Sequence, residues 1–201
     1  MKILFAAVDG GGNIPPQLAV ARALRARGAE VRILGHEGVR ERVQAAGFPF
    51  ETFTTGTDFN PIAQRSLPSM MRDMTEVMTD RRLGRDVVSA SQRHGADVAV
   101  VDVLLTAALP EIAAAQLPTA VFVHCFYRAI QDQAVGPVGW LLRLRGVAPL
   151  GAERSGALQI VTARADLDPC VAHRRSATSA WCGRASRPRR QHCRCPGFWS
   201  A

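Results

Sequence analysis

The 201-residue sequence contains no run of about 18 apolar residues, the length a helix needs to cross a bilayer, so no transmembrane segment is expected. A secretory leader is equally unexpected. Met1 to Val8 gives way at once to Asp9 and a glycine cluster, leaving no apolar h-region. These absences make a cytoplasmic protein the expectation. No Gly-Lys-Ser/Thr follows the glycines, which excludes a Walker loop. Paired Cys-x-x-Cys units are missing too, and no metal site is expected. Disulfides have no place in a reducing cytosol.

Acidic residues are missing from one region alone. From Cys170 to Ala201 the chain carries Arg174, Arg175, Arg184, Arg187, Arg189, Arg190 and Arg194 with no Asp or Glu. Four of the five cysteines and two of the three tryptophans lie there as well. The net charge of +8 is therefore a property of the terminus, not evidence of nucleic-acid recognition: residues 1–169 hold 18 basic against 17 acidic side chains. Two compositions join near Pro169. They predict a folded domain over 1–168 and an irregular, basic Arg/Cys-rich tail over 169–201, disordered or translated from a shifted frame. A 47% hydrophobic content rules out disorder of the whole chain.

Within the first 168 residues, short apolar runs alternate with helical patterns. Lys2 to Val8 reads as a buried parallel strand entering the Asp9-Gly10-Gly11-Gly12 turn. Pro15 and Pro16 suit the first turn of a helix, whose face is Leu18, Ala21 and Leu24 and whose stop is Gly28. Further strands are expected at Glu30–Leu34, Phe48–Phe53, Ala96–Val101, Thr119–Val123 and Leu158–Thr162. Helices are expected near Gly38–Ala46, Pro68–His94, Ala107–Gln116 and Gly139–Leu144. Met70, Met71, Met74 and Met78 recur at helical spacing in the long one, as core methionines do.

This alternation implies right-handed crossovers and an α/β, Rossmann-like, doubly wound parallel sheet. Ligands of such sheets bind beyond the carboxyl ends of the strands. The candidate site is thus Asp9 to Asn13, Gly35 to Glu37, Asp102 to Thr106 and His124 to Arg128. The glycine turn is no dinucleotide fingerprint: Gly10 and Gly12 fit, but Pro15 stands where the third glycine belongs. Backbone amides of Gly10, Gly11, Gly12 and Asn13 can approach an anion at a helix start, or the loop can be a tight turn without ligand duty.

The ordered series Lys2-to-Leu24, with Gly10-Gly11-Gly12-Asn13-Ile14-Pro15-Pro16, then Arg27–Leu34, Ala45–Phe50, Ala96–Asp102 and Leu117–Val123, resembles the opening half of GT-B glycosyltransferases. It is most similar to the actinobacterial UDP-glycosyltransferase branch that decorates antibiotics and lipids. The resemblance covers about residues 1–168 and implies an acceptor-binding domain. It implies no bound cofactor, a nucleotide-diphosphate sugar as co-substrate once a donor domain is supplied, and a small lipophilic acceptor that receives a hexosyl group on a hydroxyl. It implies no specific nucleic-acid partner. A chain without the donor half is expected to be inactive alone. The alternative is a non-catalytic acceptor-binding or vestigial Rossmann-like module.

At one position the sequence departs from the family. A His in the glycine loop commonly serves there as base, oriented by an Asp at a later strand end. Here that position is Asn13, and a carboxamide accepts no proton near neutral pH. Asn13 can instead bond an acceptor or cap the first helix. Asp102 aligns with the orienting Asp; it either acts on the acceptor or caps the loop that follows. His124, ending the fifth strand at the same rim, is the remaining candidate base, with a packed histidine as its other reading. His36 is a weaker candidate at the second strand end. Phe59, the methionines and Trp140 line either an acceptor pocket or the core.

Overall fold

A computed structural model describes residues 1–56, 59, 66–150, 158–163, 167–168 and 179–181. Seven parallel strands form one sheet: β1 (Lys2–Ala7), β2 (Glu30–Gly35), β3 (Phe50–Thr52), β4 (Val98–Asp102), β5 (Thr119–Val123), β6 (Leu158–Val161) and β7 (Ser179–Trp181). Their spatial order is β3-β2-β1-β4-β5-β6-β7. The chain winds outward from β1 in one direction and from β4 in the other, so the order reverses between these two. That is the point where the crossovers diverge and leave a crevice at the strand ends. The α/β doubly wound expectation is met. Among the described residues the α-helices are α1 (Ile14–Ala26), α2 (Arg40–Ala45), α3 (Leu67–Thr79), α4 (Arg82–His94), α5 (Ala108–Ala114), α6 (Tyr127–Val135) and α7 (Pro137–Leu144).

Strand alternation divides the core in two. Ile3, Phe5, Ala7, Val100 and Phe122 face one side, with Ile14, Leu18 and Ala21 of α1 and Val43 of α2 packed against them. Leu4, Ala6, Val8, Val101 and Val121 face the other, beneath residues of α3 to α7. The central strands are buried on both faces, which is why they read as unbroken apolar runs. On the crowded side α4 approaches α5 through Gly84, where a Cβ would stand 2.7 Å from the carbonyl oxygen of Ala108.

The single helix expected over Pro68–His94 is two. Asp80 is extended, with φ −81° and ψ 102°, and its carboxylate accepts hydrogen bonds from the Arg82 backbone (2.9 Å) and guanidinium. An Asp that bonds its own neighbourhood favours a turn over helix continuation. The methionine stripe is graded: Met78 is buried, Met74 packs at the edge of the core, and Met70 is 43% exposed. Helix α6 was not expected. Its start is secured from far away, as Asp168 accepts hydrogen bonds from the Tyr127 amide (2.5 Å) and the Arg128 amide (3.3 Å). A carboxylate 40 residues downstream carries no local signal. The Gly38–Ala46 helix is a 3₁₀ turn, Glu37–Val39, leading into α2. Strand β3 is shorter than expected.

Of the predicted tail, only the backbone of residues 179–181 is described, as β7 beside β6. The remaining expectations for 169–201 lie outside the described residues. Among the described residues no helix is long and apolar enough to cross a membrane.

Candidate site at the β1–β4 crevice

The candidates named from sequence separate into a connected cluster and three bystanders, His36, Phe59 and Trp140. At its centre is Asp102, the last residue of β4, which is fully buried. Its Oδ1 accepts a hydrogen bond from the Leu104 amide (2.9 Å), so the carboxylate does cap the loop that follows. Its Oδ2 faces the crevice and accepts hydrogen bonds from Asn13 Nδ2 (2.6 Å) and Gln17 Nε2. Asn13 and Gln17 are one helical turn apart at the start of α1, so their amides project from the same face. Both are buried, Asn13 completely.

Both donor positions of the Asn13 amide are used. Besides Asp102, its Nδ2 donates to the Val8 carbonyl (2.5 Å), and its Oδ1 accepts from the Gly10 amide (2.7 Å). It occupies the position before α1 but makes no capping bond to the helix, because the side chain points back into the loop. The helix-cap reading is therefore corrected. The side chain braces the turn and links it to β4.

The glycine turn is held from its other end by Asp9. This buried carboxylate accepts a hydrogen bond from the Gly11 amide (3.0 Å) and pairs with Arg42 of α2. Gly11 has φ +93°, a left-handed conformation that costs a side-chain-bearing residue about 1–2 kcal/mol. Two loop amides, of Gly10 and Gly11, thus point at side chains of the protein itself.

His124 follows β5, the neighbour of β4, and its Nδ1 lies 3.5 Å from Asp102 Oδ2. Nδ1 is buried and has no hydrogen-bond partner, while the side chain as a whole keeps 17% exposure. His124, Asp102 and Asn13 therefore share one constellation. Neighbouring Cys125 is no nucleophile at neutral pH. Burial, with the negative charges of Asp102 and Asp168, pushes its thiol up to about 11.

His36 belongs elsewhere: it is buried and its ring packs on Phe53 at 5.0 Å between centroids. Phe59 is buried in the core under the five-helix side. Trp140 is 60% exposed on α7. The residues adjacent to Asp102 and His124 in sequence, Val103 and Val123, line a small apolar pocket with room for about one water, together with Thr106, Tyr127, Ile130 and Leu150 among others. Sequence reasoning missed Gln17 and Arg42. Gln17 sits in an apolar helix face as a lone polar residue, which was its one visible signal. No cluster of three or more His, Cys, Asp or Glu able to hold a metal occurs among the described residues.

Comparison with solved structures places this architecture. The kitacinnamycin glycosyltransferase superposes with a TM-score of 0.60 at 19% identity, over 100% of this chain and 54% of its own. The calicheamicin glycosyltransferase CalG4 gives 0.60 at 20% identity, over 90% and 52%. SnogD of Streptomyces nogalater gives 0.55 at 23% identity, over 81% and 44%. At such identities the likeness is one of fold: the chain has the fold of the N-terminal, Rossmann-like half of GT-B glycosyltransferases. It spans about half the length of these structures. No curated protein matches it. Residues 3–125 match the glycosyltransferase family 28 N-terminal domain, more than half of the chain, and with the crevice between β1 and β4 built as described, this protein belongs to that family.

Proposed function

We propose that this chain is the acceptor-binding half of a nucleotide-sugar-dependent glycosyltransferase of the UDP-glycosyltransferase type, acting in the cytoplasm on a hydroxyl of a small lipophilic molecule. The observation that carries the reading is the meeting of a buried carboxylate, Asp102, and a partly exposed imidazole, His124, at the carboxyl ends of neighbouring strands, where ligands of doubly wound sheets bind.

In the reaction, the acceptor oxygen attacks the anomeric carbon of a hexosyl donor. The bond from that carbon to the nucleotide-diphosphate oxygen breaks on the opposite side, inverting the centre. The hydroxyl proton passes to His124, whose side chain is partly exposed at the strand ends beside Asp102. Asn13 cannot take the proton, being an amide, and serves the loop instead. Because the nucleotide grip belongs to a second domain, the chain alone binds acceptors without turnover.

Calorimetric titration of the chain with a panel of lipophilic polyhydroxylated compounds tests this. Saturable binding is expected, and it should be kept in His124→Gln. Binding of no such compound, or tight binding of nicotinamide or flavin dinucleotides, overturns the reading. Turnover of a nucleotide-sugar by the chain alone overturns the need for a second domain.

A further inference from the structure

Three nitrogen groups converge on one oxygen. Asp102 Oδ2 already accepts hydrogen bonds from Asn13 Nδ2 (2.6 Å) and from Gln17 Nε2, and His124 Nδ1 stands 3.5 Å from it, buried and without a hydrogen-bond partner. A carboxylate oxygen offers about two lone-pair sites, and here both are filled by amides. The imidazole is close enough that a shift under about 1 Å would make a normal hydrogen bond. It is held off by competition for the oxygen, not by distance.

We propose that Gln17 is a positioning residue: through its hydrogen bond to Asp102 Oδ2 it keeps His124 Nδ1 uncoupled from the carboxylate and so sets the pH at which His124 takes up a proton. The functional meaning rests on reading His124 as the proton acceptor. The coupling itself does not. A direct Asp–His hydrogen bond stabilises the imidazolium and raises its pKa. A base whose pKa is raised too far stays protonated and cannot accept the acceptor's proton. The Gln17 amide, which never titrates in this range, prevents that capture. Asn13 cannot do this alone, because it also serves Val8 and Gly10 and leaves room for one more donor on Oδ2.

The other ionisable groups around His124 come from the elements packed beside it. They are Cys125 next in sequence, Asp168 beyond β6, and Arg128 of α6, whose guanidinium pairs with Asp132 at 2.8 Å. None of them contacts Gln17 directly in the hydrogen-bond network described, so exchanging Gln17 leaves their charges in place.

The test is an NMR titration of the imidazole carbons in the full chain, with the His124 signal assigned by its loss in His124→Gln. His94, bonded to Glu51 at 2.6 Å far from the crevice, is the internal reference. Gln17→Met removes the amide at similar volume. It is expected to raise the His124 midpoint by about one pH unit, with His94 unmoved. The rise should vanish in the double variant with Asp102→Asn. An unchanged His124 midpoint in Gln17→Met, or a rise that persists when Asp102 is neutral, overturns the proposal. If Gln17→Met does not fold, Gln17→Asn withdraws the amide by one methylene and must give a smaller rise of the same sign; no rise there overturns the proposal equally. Acceptor binding plays no part in this readout, so its failure in calorimetry would sink the functional reading and leave the Gln17 coupling standing.

Discussion

Between β1 and β4 the strand ends are closed by polar side chains that satisfy one another, whereas beside β5, under α6, they are bordered by apolar side chains around a small pocket. In the first region Asn13, Gln17, Asp102 and the Gly10 and Leu104 amides form a network with each group spoken for. In the second, Val103, Thr106, Val123, Tyr127 and Ile130 offer shape and little polarity. Hydrogen bonds in a buried site fix geometry, because each partner lost leaves a costly unsatisfied group. Apolar contacts are non-directional and tolerate varied occupants. The difference places fixed geometry at the crevice and more tolerant packing beside it. His124 lies at their border.

Breaking the polar region should cost most. Asp102→Ala strands the Asn13, Gln17 and Leu104 donors in a fully buried site, and a loss of about 3–5 kcal/mol is expected in urea denaturation. A loss below about 1 kcal/mol would falsify the account of a closed network.

A second buried carboxylate, outside both regions, calibrates that figure. Asp86 of α4 accepts hydrogen bonds from the amides of Thr54 (2.8 Å) and Thr55 (2.9 Å) and from both hydroxyls, tying the loop after β3 to the helix. Burial pushes its pKa up, but these bonds outweigh it and hold the group below the usual carboxylate range. Asp86→Ala is expected to cost about 2–3 kcal/mol. A carboxyl depressed in the folded state contributes stability that is fully present above its unfolded pKa near 4 and is lost as pH falls through the lower folded value. The difference between parent and Asp86→Ala should therefore shrink in melts taken below about pH 4. An undiminished difference there would refute the charge-based part.

On the apolar side, Gly84→Val drives side-chain atoms into the Ala108 carbonyl and should cost about 1–3 kcal/mol through overpacking. Unchanged stability would show that α4 and α5 yield more freely than their packing indicates. The smallest effect is expected at α7, where Trp140 and Leu144 are 60% and 65% exposed. Trp140→Ser should alter stability by under about 0.5 kcal/mol. It should nonetheless reduce self-association in sedimentation velocity, since exposed aromatic surface is a sticking point. Unaltered sedimentation would remove that face from the apolar side of the comparison.

Local patterns made most of the fold legible. Apolar runs of five or six residues, prolines at helix starts and glycine at the end of α1 or α4 are short-range signals, and β1, β2, β4, β5 and α1 lie where those signals put them. The break at Asp80 was visible only in hindsight as an Asp beside two arginines, and α6 depends on Asp168, 41 residues away from Tyr127. At the site, Asn13, Asp102 and His124 were recognisable one by one as strand-end residues. Gln17 was not, because its role exists only where α1 crosses the end of β4.

What the chain determines by itself is the alternation of strands and helices, since hydrophobic period and backbone stereochemistry act over a few residues. It also determines the loss of a proton-accepting group at position 13, which is a matter of composition. Only the folded arrangement decided that β4 lies beside β1, that the side chains of Asn13 and Gln17 meet at the Asp102 carboxylate, and that an imidazole just beyond β5 stands next to it without a bond. Those outcomes follow from strand order and from competition for two lone pairs, and neither quantity exists until the crossovers have closed.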